Sequence, residues 1–232
     1  MASQPDSNHI GELNEKPLHA LLKDWYAQPG DRLETTVDGY VVDIVRDDLL
    51  IEIQTRNFSS IRTKLSRLVR SHRLHLVHPI AAEKWIVSLP KDLGAPWRRR
   101  KSPKHGSPVM LFAELTSIPR LIESPNFTLE LLLIQEEEVR FYDGKRAWRR
   151  KGWVVQERRL LDVMDRLVFA TADELSRLLP ESLDDGFDTA DLAAHLNIRR
   201  RLAQQMAYCL RECGGIVPVG KRGNAICYAR RR

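Results

Sequence analysis

The chain has 232 residues, 43% of them hydrophobic, so it is long and apolar enough to bury a core and is not disordered overall. No apolar run approaches the ~20 residues of a membrane helix, and the N-terminus lacks the apolar centre of a signal peptide. We therefore expect a cytoplasmic protein without a membrane partner. The formal charge is +6, but residues 199–232 alone hold nine Lys/Arg and one Glu. This basic end favours a polyanionic partner, with nucleic acid the first candidate and a solvated tail the alternative.

The first third of the chain predicts helices and strands in the order αβββαβ. Hydrophobic periodicity places these elements as a helix over 17–26, three strands within 33–55, a helix over 58–69 and a strand over 73–80. A polar turn at 46–48 joins the second and third strands.

Three polar residues interrupt the apolar strands of the hairpin 41–55. They are Asp43 on the second strand and Glu52 and Gln54 on the third. Because Glu52 and Gln54 are two residues apart, they lie on one side of the sheet, and pairing across the turn brings Asp43 beside them. Two close carboxylates repel each other and favour a cation between them, and a hard divalent cation prefers such oxygen ligands.

This pattern, Asp43 followed by Glu52-Ile53-Gln54 in an αβββαβ context, resembles the PD-(D/E)xK nuclease superfamily over residues 17–80. The resemblance implies metal-dependent phosphodiester hydrolysis, with Mg²⁺ or Mn²⁺ held by Asp43, Glu52 and the Ile53 carbonyl. Valine replaces the proline of the family motif at Val42, and glutamine replaces its lysine at Gln54.

The glutamine changes the roles that the resemblance implies for neighbouring residues. Gln54 would position the attacking water or the scissile phosphate by hydrogen bonding. Lys64 could supply the missing positive charge if its side chain points back to the site, and Arg56 and Arg62 could contact the strand backbone. Glu12 or Glu15 could add an outer carboxylate by the same analogy.

The alternative interpretation of the hairpin is structural. The string D-x8-E-x-Q is common, Asp43 could cap the turn, and Glu52 could pair with an arginine across the sheet.

The middle of the chain carries two basic segments with tryptophans, 97–106 and 145–153. They suit backbone contact with stacking or cation–π packing, although tryptophan is more often a core residue. From about Glu157 the pattern becomes helical. We therefore predict a nuclease-like domain over 1–150 and a second domain over 151–232.

The second domain predicts two helices, over 188–197 and 198–213, followed by two short strands around a Gly-Lys-Arg-Gly-Asn tip. This order resembles a winged helix-turn-helix domain, which implies DNA contacts by the second helix and by the tip. The residues suited to those contacts are Arg200, Arg201, Gln204, Gln205, Tyr208, Arg211, Lys221 and Arg222. The alternatives are a protein-binding role and a solvated basic face.

The sequence thus predicts an α/β fold, with a restriction-endonuclease-like αβββαβ core followed by a mostly α winged-helix domain. Two functions remain: a metal-dependent DNA endonuclease, or a non-catalytic DNA-binding regulator or adaptor with an inactive nuclease-like core. RNA is not excluded as a substrate, and a homodimer is compatible with the sequence but supported by no motif. The whole chain also resembles an uncharacterised bacterial family, which adds no function.

Overall fold

The computed structural model describes residues 16–89, 96–144, 147 and 151–231. The α-helices are α1 (Lys16–Tyr26), α2 (Phe58–Leu68), α3 (Leu111–Leu115), α4 (Ala172–Ser176), α5 (Thr189–His195) and α6 (Arg200–Glu212). The strands are β1 (Arg32–Val37), β2 (Tyr40–Arg46), β3 (Leu49–Ile53), β4 (Arg73–Ser88), β5 (Arg98–Lys101), β6 (Phe127–Tyr142), β7 (Trp153–Phe169), β8 (Ile216–Arg222) and β9 (Ala225–Arg230). The predictions for Glu12, Glu15 and most of segment 145–153 lie outside the described residues.

The predicted fold class, an α/β restriction-endonuclease-like core followed by a mostly α winged-helix domain, is wrong. The protein is mostly β, with a large mixed sheet of seven strands. The C-terminal region holds helices of only 5, 7 and 13 residues beside the two-stranded β8–β9 sheet. Much of the difference comes from the segment after Glu157, which was predicted to be helical and belongs to the 17-residue strand β7.

The strand order in the large sheet is β1-β2-β3-β4-β6-β7, and β5 pairs with β4. The strands β1, β2 and β3 pair antiparallel in sequence through tight turns. The strands β3 and β4 pair parallel, with Glu52 opposite Leu76, because α2 provides the crossover that a parallel connection needs. No helix in the described part of the chain is long and apolar enough to cross a membrane.

The described residues divide into two compact units. The first unit takes its residues from Met1–Ala27, Ala81–Gly106 and Ile134–Met164, and the second from Gln28–Ile80, Ser107–Leu133 and Asp165–Arg232. The candidate site described below lies within the second unit. The domain boundary at residue 150 stays a prediction.

The second unit has a continuous hydrophobic core, to which α2 and α6 each contribute one face. Phe58, Leu65 and Leu68 of α2 are fully buried in it. On α6, Met206 and Leu210 are fully buried one turn apart. The opposite face of α6 therefore carries its arginines and glutamines towards solvent.

Candidate active site and nucleic-acid interface

The register of the β2–β3 hairpin places Asp43 opposite Glu52. Ile44 pairs with Ile51, so Asp43 and Glu52 are the next positions along the ladder. Side chains alternate between the faces of a strand, and the pair Val45 and Leu50 lies in the core that α2 covers. Asp43 and Glu52 therefore belong to the face of the sheet that α2 covers.

Glu52 is a nearly buried carboxylate, only 5% exposed. Burial, and secondly the negative charge of Asp43, raise the pKa of Glu52 to about 7, against the opposing effect of Lys64. Removing a carboxylate from water disfavours its charged form, and a second carboxylate adds to that effect. The pKa of this carboxyl therefore lies close to neutral pH.

Lys64 reaches the site from the middle of α2. Its Nζ donates hydrogen bonds to Glu52 Oε2 and to the Val41 carbonyl oxygen, both at 2.5 Å. The side chains of this ion pair are 14% and 6% exposed. The Lys64 side chain therefore points back to the site and contacts Glu52, which is the condition under which Lys64 was predicted to supply a positive charge there.

The Asp43 carboxylate is tied to the neighbouring strand. Its Oδ2 accepts a hydrogen bond from the Ile53 backbone N–H at 2.8 Å. Ile53 itself is fully buried. The carboxylate is thus held beside the end of β3, next to the residue whose carbonyl was predicted as a metal ligand.

The Gln54 side chain turns towards the loop that precedes α2. Its Nε2 donates to the carbonyl oxygens of Arg56, at 2.5 Å, and Asn57, at 3.4 Å. Both amide hydrogens are thereby directed at the loop. In this arrangement Gln54 positions the loop, and a role in donating to water or phosphate requires the amide to rotate.

Two residues that support this site were not identified from the sequence. Glu114 Oε2 accepts a hydrogen bond from the Phe58 N–H at 3.2 Å, at the start of α2. His78 is 5% exposed, and its Nδ1 lies 2.6 Å from the Gln54 carbonyl oxygen. Burial lowers the pKa of His78, so the neutral ring donates to that carbonyl. Glu114 lies 56 residues from its partner, and no local pattern indicates that contact.

A second buried carboxylate was also not identified. Glu130 is fully buried, with Oε2 2.7 Å from His75 Nε2 and Oε1 accepting from Arg166. His75 pairs with Ile51 of β3, so it lies on the face opposite Glu52. This cluster is therefore separate from the Asp43–Glu52 pair. Among all the described residues, those around the Asp43–Glu52 pair included, there is no group of three or more His, Cys, Asp or Glu suited to a metal ion.

The predicted backbone contacts Arg56 and Arg62 are both exposed. Arg56 lies in the loop before α2, and Arg62 lies on α2 and lines a surface cleft.

Four of the predicted DNA-contacting residues line one groove between α6 and the β8–β9 hairpin. Its cavity volume is about 360 Å³. The four are Arg200, Gln204, Tyr208 and Arg211. Arg201 and Gln205 are on α6 but outside this lining, with Arg201 exposed and Gln205 half-buried.

The two basic residues of the hairpin tip differ in their contacts. Lys221 is exposed at the end of β8. Arg222 donates to Asp191 Oδ2 at 2.9 Å and to the Gly186 carbonyl oxygen at 3.2 Å. Arg222 thus joins the hairpin to α5, and a contact with DNA would have to use its remaining donors.

Comparison with known proteins gives a family but no assigned activity. Residues 16–170 match the family described as a domain of unknown function (DUF8091), and this range includes the Asp43–Glu52–Lys64 site. An uncharacterized protein of Treponema pallidum (strain Nichols) is 29% identical over 221 residues, which cover 94% of this chain and 86% of that protein. No solved structure matches the chain. The protein belongs to the DUF8091 family.

Proposed function

We propose that the protein is a metal-dependent DNA endonuclease. Its active site, formed by Asp43, Glu52 and Lys64, would hydrolyse phosphodiester bonds. The observation that carries the proposal is the placement of two carboxylates opposite each other on adjacent strands, with a lysine ammonium in contact with one of them. Asp43, Glu52 and a lysine are the residue types that the nuclease resemblance requires, although this lysine comes from α2 instead of the strand.

The oxygen donors fit a hard divalent cation. Asp43, Glu52 and the backbone carbonyl of Ile53 supply two carboxylates and one neutral oxygen, as Mg²⁺ or Mn²⁺ sites on phosphate substrates commonly do. When bound, such an ion supplies a water of lowered pKa and stabilises charge on the phosphate. Because the pKa of Glu52 is raised to about 7, its carboxyl would have to lose its proton in order to hold such an ion.

The protein's own residues have defined tasks in this proposal. Asp43, fixed by the Ile53 N–H, holds its carboxylate in place before any ligand arrives. Lys64 partly offsets the charge of the paired carboxylates, and its ammonium would stabilise negative charge on the phosphate. Gln54 holds the loop before α2, from which Arg56 would contact the DNA backbone.

A second candidate function is a non-catalytic DNA-binding regulator or adaptor with an inactive carboxylate site. The low exposure of Glu52 and its ion pair with Lys64 favour this candidate, because both restrict access to the carboxylate. In either case the α6–hairpin groove would contact DNA. The proposal includes a cytoplasmic location, RNA is the alternative to DNA as the polyanion, and a homodimer is compatible with the proposal.

The test is cleavage of plasmid, single-stranded DNA and RNA with Mg²⁺ or Mn²⁺, using the intact protein, Asp43→Ala and Glu52→Ala. The endonuclease proposal expects metal-dependent cutting of DNA that both substitutions abolish. DNA binding without cutting, equal in all three proteins, would replace it with the regulator. Cutting of RNA alone would keep the chemistry and change the substrate.

A further inference from the structure

A second depression lies beside the α6–hairpin groove, within the same compact unit. This cleft has a volume of about 440 Å³ and is lined by α2, the loop 116–121 and α6. Arg62 and Ser66 line it from α2, and Tyr208 and Glu212 line it from α6. Tyr208 also lines the groove, so the two depressions share one wall. The cleft therefore extends the basic surface of α6 towards the helix that carries Lys64.

One carboxylate at the edge of the cleft holds two arginines side by side. Glu212 Oε2 accepts from Arg120 Nε at 3.2 Å and Nη2 at 2.9 Å, and its Oε1 accepts from Arg211 Nη2 at 2.8 Å. These contacts, with Arg211 the stronger, lower the pKa of Glu212, so it stays ionised and keeps both guanidiniums in place. Arg62 lines the same cleft from α2, so two arginines, Arg62 and Arg120, line the cleft beside this carboxylate.

The arginines keep donors for a further ligand. A guanidinium has five N–H groups, and the hydrogen bonds to Glu212 use two of those on Arg120. The Arg120 side chain is 71% exposed, and Arg62 is exposed as well. Planar guanidiniums that are already oriented bind phosphate oxygens in pairs and lose little entropy in doing so.

We propose that the cleft of Arg62 and Arg120 binds the phosphate backbone of DNA. Tyr208, which lines both depressions, would contact the DNA strand where it runs from this cleft into the α6–hairpin groove. This inference rests on the proposed function only in its choice of DNA as the ligand. Arg62 and Lys64 are two residues apart on α2 and project from opposite sides of its buried face, so a DNA strand held in the cleft would be separated from the carboxylate site by the width of this helix. The cleft is expected to position the strand without reading its sequence.

The test is binding of a fluorescein-labelled DNA duplex in EDTA, where metal-dependent cleavage cannot occur. We compare the intact protein with Arg62→Ala, Arg120→Ala and Arg120→Lys, and use Arg67→Ala as the matched control because Arg67 is exposed on α2 and does not line the cleft. We expect each cleft alanine variant to weaken binding about tenfold and to reduce the salt slope by about one. Arg120→Lys is expected to recover part of the loss, and Arg67→Ala to stay within about twofold.

Three outcomes overturn the inference: no DNA binding by the intact protein, unchanged binding by both cleft variants, or an equal loss in Arg67→Ala. A parallel cleavage assay with Mg²⁺ separates this result from the proposed function. DNA binding that depends on the cleft arginines, without cleavage, would support the cleft inference and contradict the endonuclease proposal. Cleavage that the cleft variants do not affect would contradict the cleft inference and support the endonuclease proposal.

Discussion

At the residue scale, the site depends on one buried carboxyl whose protonation is balanced near neutral pH. Glu52 is more buried than its partner Asp43, and burial is the largest cause of its raised pKa. Lys64 opposes the rise without reversing it. The stability and the charge of this site should therefore depend on whether Glu52 carries a proton.

The raised pKa predicts a pH-dependent stability. The pKa of Glu52 is about 7 in the folded protein against 4.5 ordinarily, so the folded state binds more protons between these values. The contribution of this proton to the free energy of unfolding is complete below pH 4.5 and is lost as the pH rises through about 7. At 1.36 kcal/mol per pH unit the loss is about 3 kcal/mol.

Urea unfolding at about pH 4.5 and about pH 8 measures this effect when the intact protein is compared with Glu52→Gln. We expect the intact protein to lose about 3 kcal/mol more than the variant. An identical change in both proteins would show that Glu52 titrates normally.

Lys64→Met should destabilise the protein in a pH-dependent way. The substitution leaves a buried carboxylate without its cation and removes the donor to the Val41 carbonyl, which costs about 3 kcal/mol at pH values where Glu52 is charged. The cost should shrink at lower pH, because a protonated Glu52 needs no cation. Chemical unfolding at two pH values measures it, with Arg67→Met on the exposed side of the same helix as the control. Equal effects of the two substitutions would contradict the role of Lys64.

At the element scale, local patterns predicted some elements and failed on others for a physical reason. The predicted hairpin 41–55 is confirmed: β2 ends at Arg46 and β3 begins at Leu49, on either side of the predicted turn. The helix predicted over 58–69 is observed as Phe58–Leu68. The helix has a single buried face, which sets its hydrophobic period, whereas the hairpin strands are buried on both faces and are recognised by apolar runs on either side of a polar turn.

The strand β7 shows why the same approach failed after residue 157. Leu161, Met164 and Val168 have the spacing of a helical stripe, yet they are 42%, 48% and 53% exposed on a strand. The pairing of β7 with β6 determines its structure, and such a long-range partner leaves no local period. The candidate site shows the same limit. The position of Asp43 opposite Glu52 could be predicted from the local turn. The orientation of the Gln54 amide and the ion pair of Arg120 with Glu212 could not be predicted from any local pattern.

The junction between α4 and the end of α6 predicts a sharp difference between two glycines. A Cβ on Gly215 would collide with Ser176 Oγ and lie 3.2 Å from the Ala172 carbonyl oxygen, whereas a Cβ on Gly220 would meet nothing within 4 Å. Gly215→Ala should therefore lower the free energy of unfolding by about 1–3 kcal/mol. Gly220→Ala should change it by less than about 0.5 kcal/mol. Equal stabilities in thermal or urea unfolding would show that the junction is loosely packed.

At the scale of the whole molecule, charge is distributed unevenly along the chain. Residues 199–232 have a local balance of +8, so the rest of the chain sums to −2. In the described residues, part of that charge is neutralised internally, as the ion pairs of Arg211 with Glu212 and Arg222 with Asp191 show. The exposed cations Arg200 and Arg201 of α6 and Arg62 of α2 are among those that we propose contact DNA.

This distribution predicts binding that is strongly weakened by salt. If three to five of these cations meet phosphates, the logarithm of the affinity should fall against the logarithm of salt with a slope of about −3 to −5. Fluorescence anisotropy with labelled duplex DNA between about 50 and 200 mM salt measures the slope. Affinity that does not change with salt would exclude a backbone-binding surface.

The central claim is that Asp43 and Glu52 form a metal-dependent hydrolytic site, and nicking of supercoiled plasmid by a matched pair of variants tests it most directly. Asp43→Asn keeps the shape of the side chain and an oxygen for the Ile53 N–H, but removes the charge. Asp47→Asn makes the same change at an exposed position in the turn of the same hairpin, where φ is 51° and asparagine is well tolerated. We expect nicking that requires Mg²⁺ or Mn²⁺, is retained in Asp47→Asn and is about 100-fold or more slower in Asp43→Asn. Equal nicking by both variants, or nicking that persists in EDTA, would contradict the claim.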